Sequence, residues 1–252
     1  MNSKKIPIIL IAFAFILSTV CACLFLFRIN EVQAEFSVSE QVAVDEIKDK
    51  LYTLNGKSSL FFDDSEVYGI MEDYPLLKVA NLKVKAPNLL IVKIAERIPI
   101  YKVEYDGEIY LLDEEGVAVS VGQGGHKERE LITLNFDGIA ITEKIELGKT
   151  LKTDNDKLFL NALAMAKEVD LTDNIKSITV ENLLAGEDRD VVFSTYTGVD
   201  ITVTKADVKG VEKAKKAFDS YDACTIDYIK SFNRILVVML DSGEISVTWT
   251  RT

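Results

Sequence analysis

From Ile6 to Phe27 the chain runs for 22 residues without a charge, and every later apolar run is shorter. At about 1.5 Å per helical residue this run reaches roughly 33 Å, enough to cross a bilayer core. The pattern predicts one membrane-spanning helix over 6–27, preceded by a cytoplasmic tail over 1–5. Lys4 and Lys5 ahead of the run favour an N-terminus on the cytoplasmic side. A cleaved signal peptide has a shorter apolar core, about 7–15 residues. A lipid-modified cysteine is disfavoured because Leu24, Phe25, Leu26 and Phe27 continue the run past Cys21 and Cys23.

Beyond the run the periods change. Val32, Ala34, Phe36 and Val38 alternate, which predicts an extended stretch. Val44, Ile47, Leu51 and Leu54 fall at helical spacing, and Asn55-Gly56 ends that helix. Asp63 or Asp64 can cap a second helix with Val67, Ile70, Met71 and Tyr74 on one face, stopped by Pro75. Two alternating strands follow, on either side of Pro87-Asn88. Together these make a β-α-α-β-β unit, assigned to 29–103, in which two helices back a small sheet.

The remainder, 104–252, reads as mainly antiparallel β with two helices. Asp106-Gly107 joins strands 101–105 and 108–112 as a hairpin. Further strands are predicted at 117–121, 131–136, 175–180, 191–195, 199–203, 223–229, 234–240 and 244–250. One helix carries Phe159, Ala162, Leu163, Ala166 and Val169 inward, opened by Thr153-Asp154-Asn155-Asp156 as a capping box. The other covers 206–221. The fold class is therefore α+β: one transmembrane helix, the β-α-α-β-β domain, and the β domain.

Composition narrows the function. The net charge is −11, and all 40 acidic residues lie beyond Arg28 with 26 of the 29 basic ones. So acidic a chain is a poor partner for nucleic acid, which is held by Lys and Arg on phosphates. Three Cys cannot build a disulfide scaffold, and a single His leaves few routes to a zinc or imidazole site. That residue, His126, sits in a charged, Gly-rich loop and reads as solvent-exposed. No nucleophile elbow, Ser-x-x-Lys pair or phosphate-binding loop is present. Asp154-Asn155-Asp156 begins like a calcium loop, but Leu158 stands at the fifth position, where a ligand belongs, and no Gly follows. Asp113-Glu114-Glu115 reads as a solvated turn. The expected role is binding, with no catalytic residues, cofactor or metal.

Three segments carry a family likeness: Tyr74-Pro75-Leu76-Leu77-Lys78-Val79-Ala80; then Ala86-Pro87-Asn88 through Lys93-Ile94-Ala95-Glu96-Arg97-Ile98-Pro99-Ile100; and Ile109-Tyr110-Leu111-Leu112-Asp113-Glu114-Glu115-Gly116-Val117. This stretch resembles the FtsQ/DivIB cell-division family, in which a polypeptide-transport-associated (POTRA) domain precedes a β domain. The chain departs from the family at Val38-Ser39-Glu40-Gln41, where members carry a Val-x-Gly-Asn-like turn, and in its short N-terminal tail. The resemblance implies a membrane-anchored, non-enzymatic divisome scaffold at the septum, its C-terminal domain extracytoplasmic. Its partners would be FtsL-like and FtsB/DivIC-like coiled-coil proteins and septal wall synthases. It also implies structural roles for Pro75, Pro87, Glu96, Arg97, Pro99, Asp113 and Gly116, and partner binding near the C-terminal edge. In the last strand Ser246, Thr248 and Thr250 face outward, and Trp249 is either a partner anchor or a core residue. The alternative is a membrane-tethered adaptor or sensor with a POTRA-like module; a wall-modifying enzyme is disfavoured by the missing nucleophile motifs.

Overall fold

The computed structural model describes residues 5–38, 44–122, 131–169, 174–182, 189–229 and 231–251, except for the side chains of 5–12, 23 and 226. His126 with its Gly-rich loop, and the family departure at 39–41, lie outside the described residues. The chain divides into two units, Met1–Arg97 and Ile98–Thr252, so the strand at 101–105 belongs to the second.

The first unit contains helix α1 (Lys5–Leu26), strand β1 (Glu31–Ser37), helices α2 (Val44–Tyr52) and α3 (Ser65–Met71), and strands β2 (Leu77–Lys85) and β3 (Leu89–Glu96). The sheet order is β1-β3-β2, with β1 parallel and β2 antiparallel to β3. The central strand is the most apolar: Leu90, Val92 and Ile94 are fully buried against Ile47 and Leu51 of α2 and Val67 of α3. The expectation of a membrane-spanning helix is corrected here: among the described residues, no helix is long and apolar enough to cross a membrane.

The second unit holds strands β4 (Tyr101–Tyr105), β5 (Glu108–Leu112), β6 (Ala118–Val121), β7 (Ile132–Asp137), β8 (Ile175–Asn182), β9 (Arg189–Thr195), β10 (Asp200–Val203), β11 (Arg234–Met239) and β12 (Ile245–Thr250). Helix α4 (Asp156–Glu168) lies between β7 and β8 in sequence, and α5 (Gly210–Asp222) and α6 (Ile226–Ile229) between β10 and β11. The strands form one nine-stranded sheet, ordered β12-β11-β10-β9-β8-β7-β4-β5-β6.

The strand pairs are mainly antiparallel, but the sheet is mixed: β4–β7, β7–β8 and β10–β11 are parallel pairs. A helix between neighbouring strands carries the chain back to the starting end, so the strands it joins run parallel. A further expectation is corrected: the stretch 223–229 is no strand but contains α6, which makes three helices among the described residues of this unit. Thr225 accepts from the Tyr228 N–H through its hydroxyl and from the Ile229 N–H through its carbonyl, closing a helical turn. Helix α5 begins at Gly210, because Lys205 and Lys209 adopt left-handed backbone angles. Inside that turn the fully buried Lys213 donates to the Thr204 and Lys205 carbonyls, and burial lowers its pKa.

Helices α4 and α5 bury one face of the sheet: Phe159, Ala162 and Met165 from α4, Ala214, Ala217 and Phe218 from α5, and Ile178, Phe193, Ile201 and Val237 from the strands. The cap of α4 is Asn155, whose side chain accepts from the Leu158 N–H at 3.2 Å. The expected box is thus half realised: Asp156 reaches back to the Thr153 N–H at 2.7 Å.

Asp113 is 1% exposed, which corrects the solvated-turn reading. One of its carboxylate oxygens accepts from the Glu115 and Val117 N–H groups. Gly116 closes this turn at φ +75°, and a Cβ there would sit 2.8 Å from Leu163 Cδ1 and 2.9 Å from Phe159 Cζ. Gly116→Ala therefore combines a left-handed penalty with overpacking, and should cost about 2–4 kcal/mol in urea unfolding.

The hydrogen bond from the Thr153 N–H, helped by Lys152, holds the Asp156 carboxyl below its ordinary pKa of 3.8. A depressed carboxylate stabilises the fold above that value and loses its contribution as pH falls through and below it. The stability gap between wild type and Asp156→Asn, measured from urea midpoints, should therefore shrink between pH 7 and pH 3.

Candidate functional site

The last hairpin turns at Asp241-Ser242-Gly243, where Gly243 takes φ +83° and donates to the Leu240 carbonyl. From there β12 pairs antiparallel with β11, in a register from Ile245 opposite Met239 to Thr250 opposite Arg234. Among the described residues it has no neighbour on its other side, so it is an edge of the sheet. Glu244 and Thr250 accept through their carbonyls from the Leu240 and Asn233 N–H groups. In an antiparallel pair this direction alternates along the strand. Even-numbered residues therefore turn their backbone groups to β11, and Ile245, Val247 and Trp249 turn theirs to the open edge. One of those groups is covered: the Lys216 ammonium, from α5, donates to the Ile245 carbonyl at 2.6 Å.

Ile245, Val247 and Trp249 are partly buried and packed on the core. The Trp249 indole N–H donates to Ser220 Oγ at 3.2 Å, and its ring stacks on Tyr221 at 6.5 Å with 9° between planes. Tyr228 and Phe232 meet it edge-on at 5.4 and 5.6 Å, and the Arg251 guanidinium lies 5.2 Å over the Phe232 ring. Such pairs add about 0.5–1.5 kcal/mol each beyond area burial. The cluster fixes the end of the edge strand, while Tyr228 stays half-exposed beside it. On the opposite face Thr248 is exposed, Ser246 and Thr250 are half-buried, and Thr250 Oγ1 contacts the Arg234 carbonyl at 3.5 Å.

Sequence reasoning missed Lys216, Ser220, Tyr221, Tyr228 and Phe232. Tyr228 and Phe232 carry a signal, a spacing of four residues just ahead of a strand. Lys216 carries none, since only the fold brings it to the edge.

The motif residues hold turns and strand ends. Pro75 separates α3 from β2, and the Pro87 carbonyl accepts from the Ser59 hydroxyl between β2 and β3. Glu96 ends β3 opposite Leu77, the Arg97 N–H donates to the Leu76 carbonyl, and Pro99 precedes β4.

A separate cleft of about 350 Å³ lies around Glu181, Asp200, Thr202 and Arg234. Burial raises the Glu181 pKa, as do the carboxylates of Asp190, Asp137 and Asp200, while Arg234 opposes them. Arg234 Nε donates to Thr202 Oγ1 at 3.1 Å. Among the described residues, no three His, Cys, Asp or Glu side chains come together to hold a metal ion.

No family model matches the chain, and comparison with curated proteins gives no match.

Trp249→Ala empties the centre of the aromatic cluster and should destabilise the protein by about 3 kcal/mol. Thr248→Ala should stay within about 0.5 kcal/mol of wild type. Denaturant unfolding followed by far-ultraviolet circular dichroism reads both.

Proposed function

We propose that this chain is a non-enzymatic scaffold of the bacterial division assembly. It gathers FtsL-like and FtsB/DivIC-like coiled-coil proteins at the septum, close to septal wall synthases. The assignment to division rests on the sequence resemblance over 74–117. The observation that carries the binding mode is the β12 edge, with outward backbone groups at Val247 and Trp249 and an aromatic cluster behind it. A partner segment adds to it as a tenth strand, its backbone supplying affinity and Thr248 and Tyr228 bordering its side chains. The acidic balance of the chain fits a protein partner and no nucleic acid.

Proline is tolerated on an edge strand where its missing N–H points to solvent. Val247→Pro should leave the unfolding midpoint close to wild type and weaken co-purification with the coiled-coil partners by at least about tenfold, the value of one lost hydrogen bond. A fluorescent fusion of the wild type should form midcell rings. Undiminished co-purification of the variant would remove the edge from the proposal, and uniform fluorescence at every stage of division would remove the septum.

A further inference from the structure

Strands β4 and β7 are neighbours in the sheet, yet they pair only through Tyr101–Ile132 and Lys102–Thr133. Beyond those rungs β4 runs on to Tyr105 and β7 to Asp137, each paired among the described residues on its far side alone, with β5 and β8. The two strands diverge around a cavity of about 520 Å³. Gly138 turns the chain out of β7 at φ +66°, and Ile139 and Ile141 line the cavity.

Backbone direction can be read on both walls. The Ile132 N–H donates to the Ile100 carbonyl at 3.0 Å, so even-numbered residues of β7 turn toward β4, and Leu134 and Phe136 follow. On β4, Asp106 and Gly107 both have positive φ, which makes a two-residue turn closed by a bonded Tyr105–Glu108 pair. Odd residues therefore bond β5, and Glu104 offers its N–H and carbonyl to the gap. Among the described residues, the lining contains two carboxylates, Glu104 and Asp106, and no Lys, Arg or His.

We propose that this slot is a second peptide-binding site, which takes a short extended segment of a partner protein as a strand inserted between β4 and β7. Both walls are strand edges, so the guest backbone bonds on both sides, where an outer edge satisfies one. Alternation sends one guest side chain onto Ile139 and Ile141 and the next outward to Glu104. The fitting segment therefore alternates apolar and basic residues. The site is five strands from β12 and independent of it.

The probe is fluorescein-labelled, acetylated Thr-Val-Lys-Val-Thr, titrated with the purified full chain and followed by fluorescence anisotropy. Binding should saturate. N-methylation of either alternate set of peptide amides should weaken it at least about tenfold, because each set faces one wall. Replacing the peptide Lys by Glu should weaken it similarly, and Glu104→Lys, at an exposed position, should reverse that preference. Val247→Pro should leave it unchanged. The proposal is overturned by absent saturation, by sensitivity to only one set of amides, by indifference to charge reversal, or by loss of binding in Val247→Pro.

Discussion

The second unit depends on covering one side of a nine-stranded sheet. Phe193, Ile178, Ile201 and Val237 present a continuous apolar face that water cannot be left to solvate, and α4 and α5 cover it. Phe193 meets Phe218 edge-on at 5.6 Å, and Phe136 meets Phe159 at 5.7 Å, so each helix is keyed to the sheet by one aromatic pair. Because the two helices are also crossover connections, covering the face and setting strand direction are one event. The parallel pairs β7–β8 and β10–β11 follow from it, and so does the place of β12, whose inward side chains rest on the core beside α5.

Much of this was legible in the chain. Val44, Ile47 and Leu51 announced α2, and Asp106-Gly107 announced the β4–β5 hairpin. The outward alternation of Ser246, Thr248 and Thr250 was visible as well. Strand direction was harder to see, because alternation reports which face a side chain takes and is silent about neighbours. The signal lay one level up, in a helix flanked by strands at 132–182 and again at 200–239. The stretch 223–229 read as a strand because its apolar residues invite it, while one hydroxyl, Thr225, tips the segment into a helical turn. The apolar run at 6–27 was read as a membrane span from its length, its lack of charge and the lysines ahead of it, but among the described residues no helix is long and apolar enough to cross a membrane.

The motif around Asp113 and Gly116 marks a different kind of legibility. Its residue types were readable as a turn, but their burial was not. Asp113 is sealed in because its carboxylate replaces water for two backbone N–H groups, and Gly116 lies against Phe159 and Leu163 from α4. The turn is a footing for a helix some forty positions further along, and a contact at that range leaves no local pattern.

Trp249 is the only tryptophan in the chain. Its indole lies half-buried on the edge strand, stacked on Tyr221 and hydrogen-bonded to Ser220. Nature has in effect placed a single optical probe at one end of the sheet. A strand docking on β12 changes the polarity and collisional access of that indole, so emission maximum and quenching by iodide report occupancy without any label. A guest between β4 and β7 lies six strand spacings away, about 29 Å, and leaves the same signal dark.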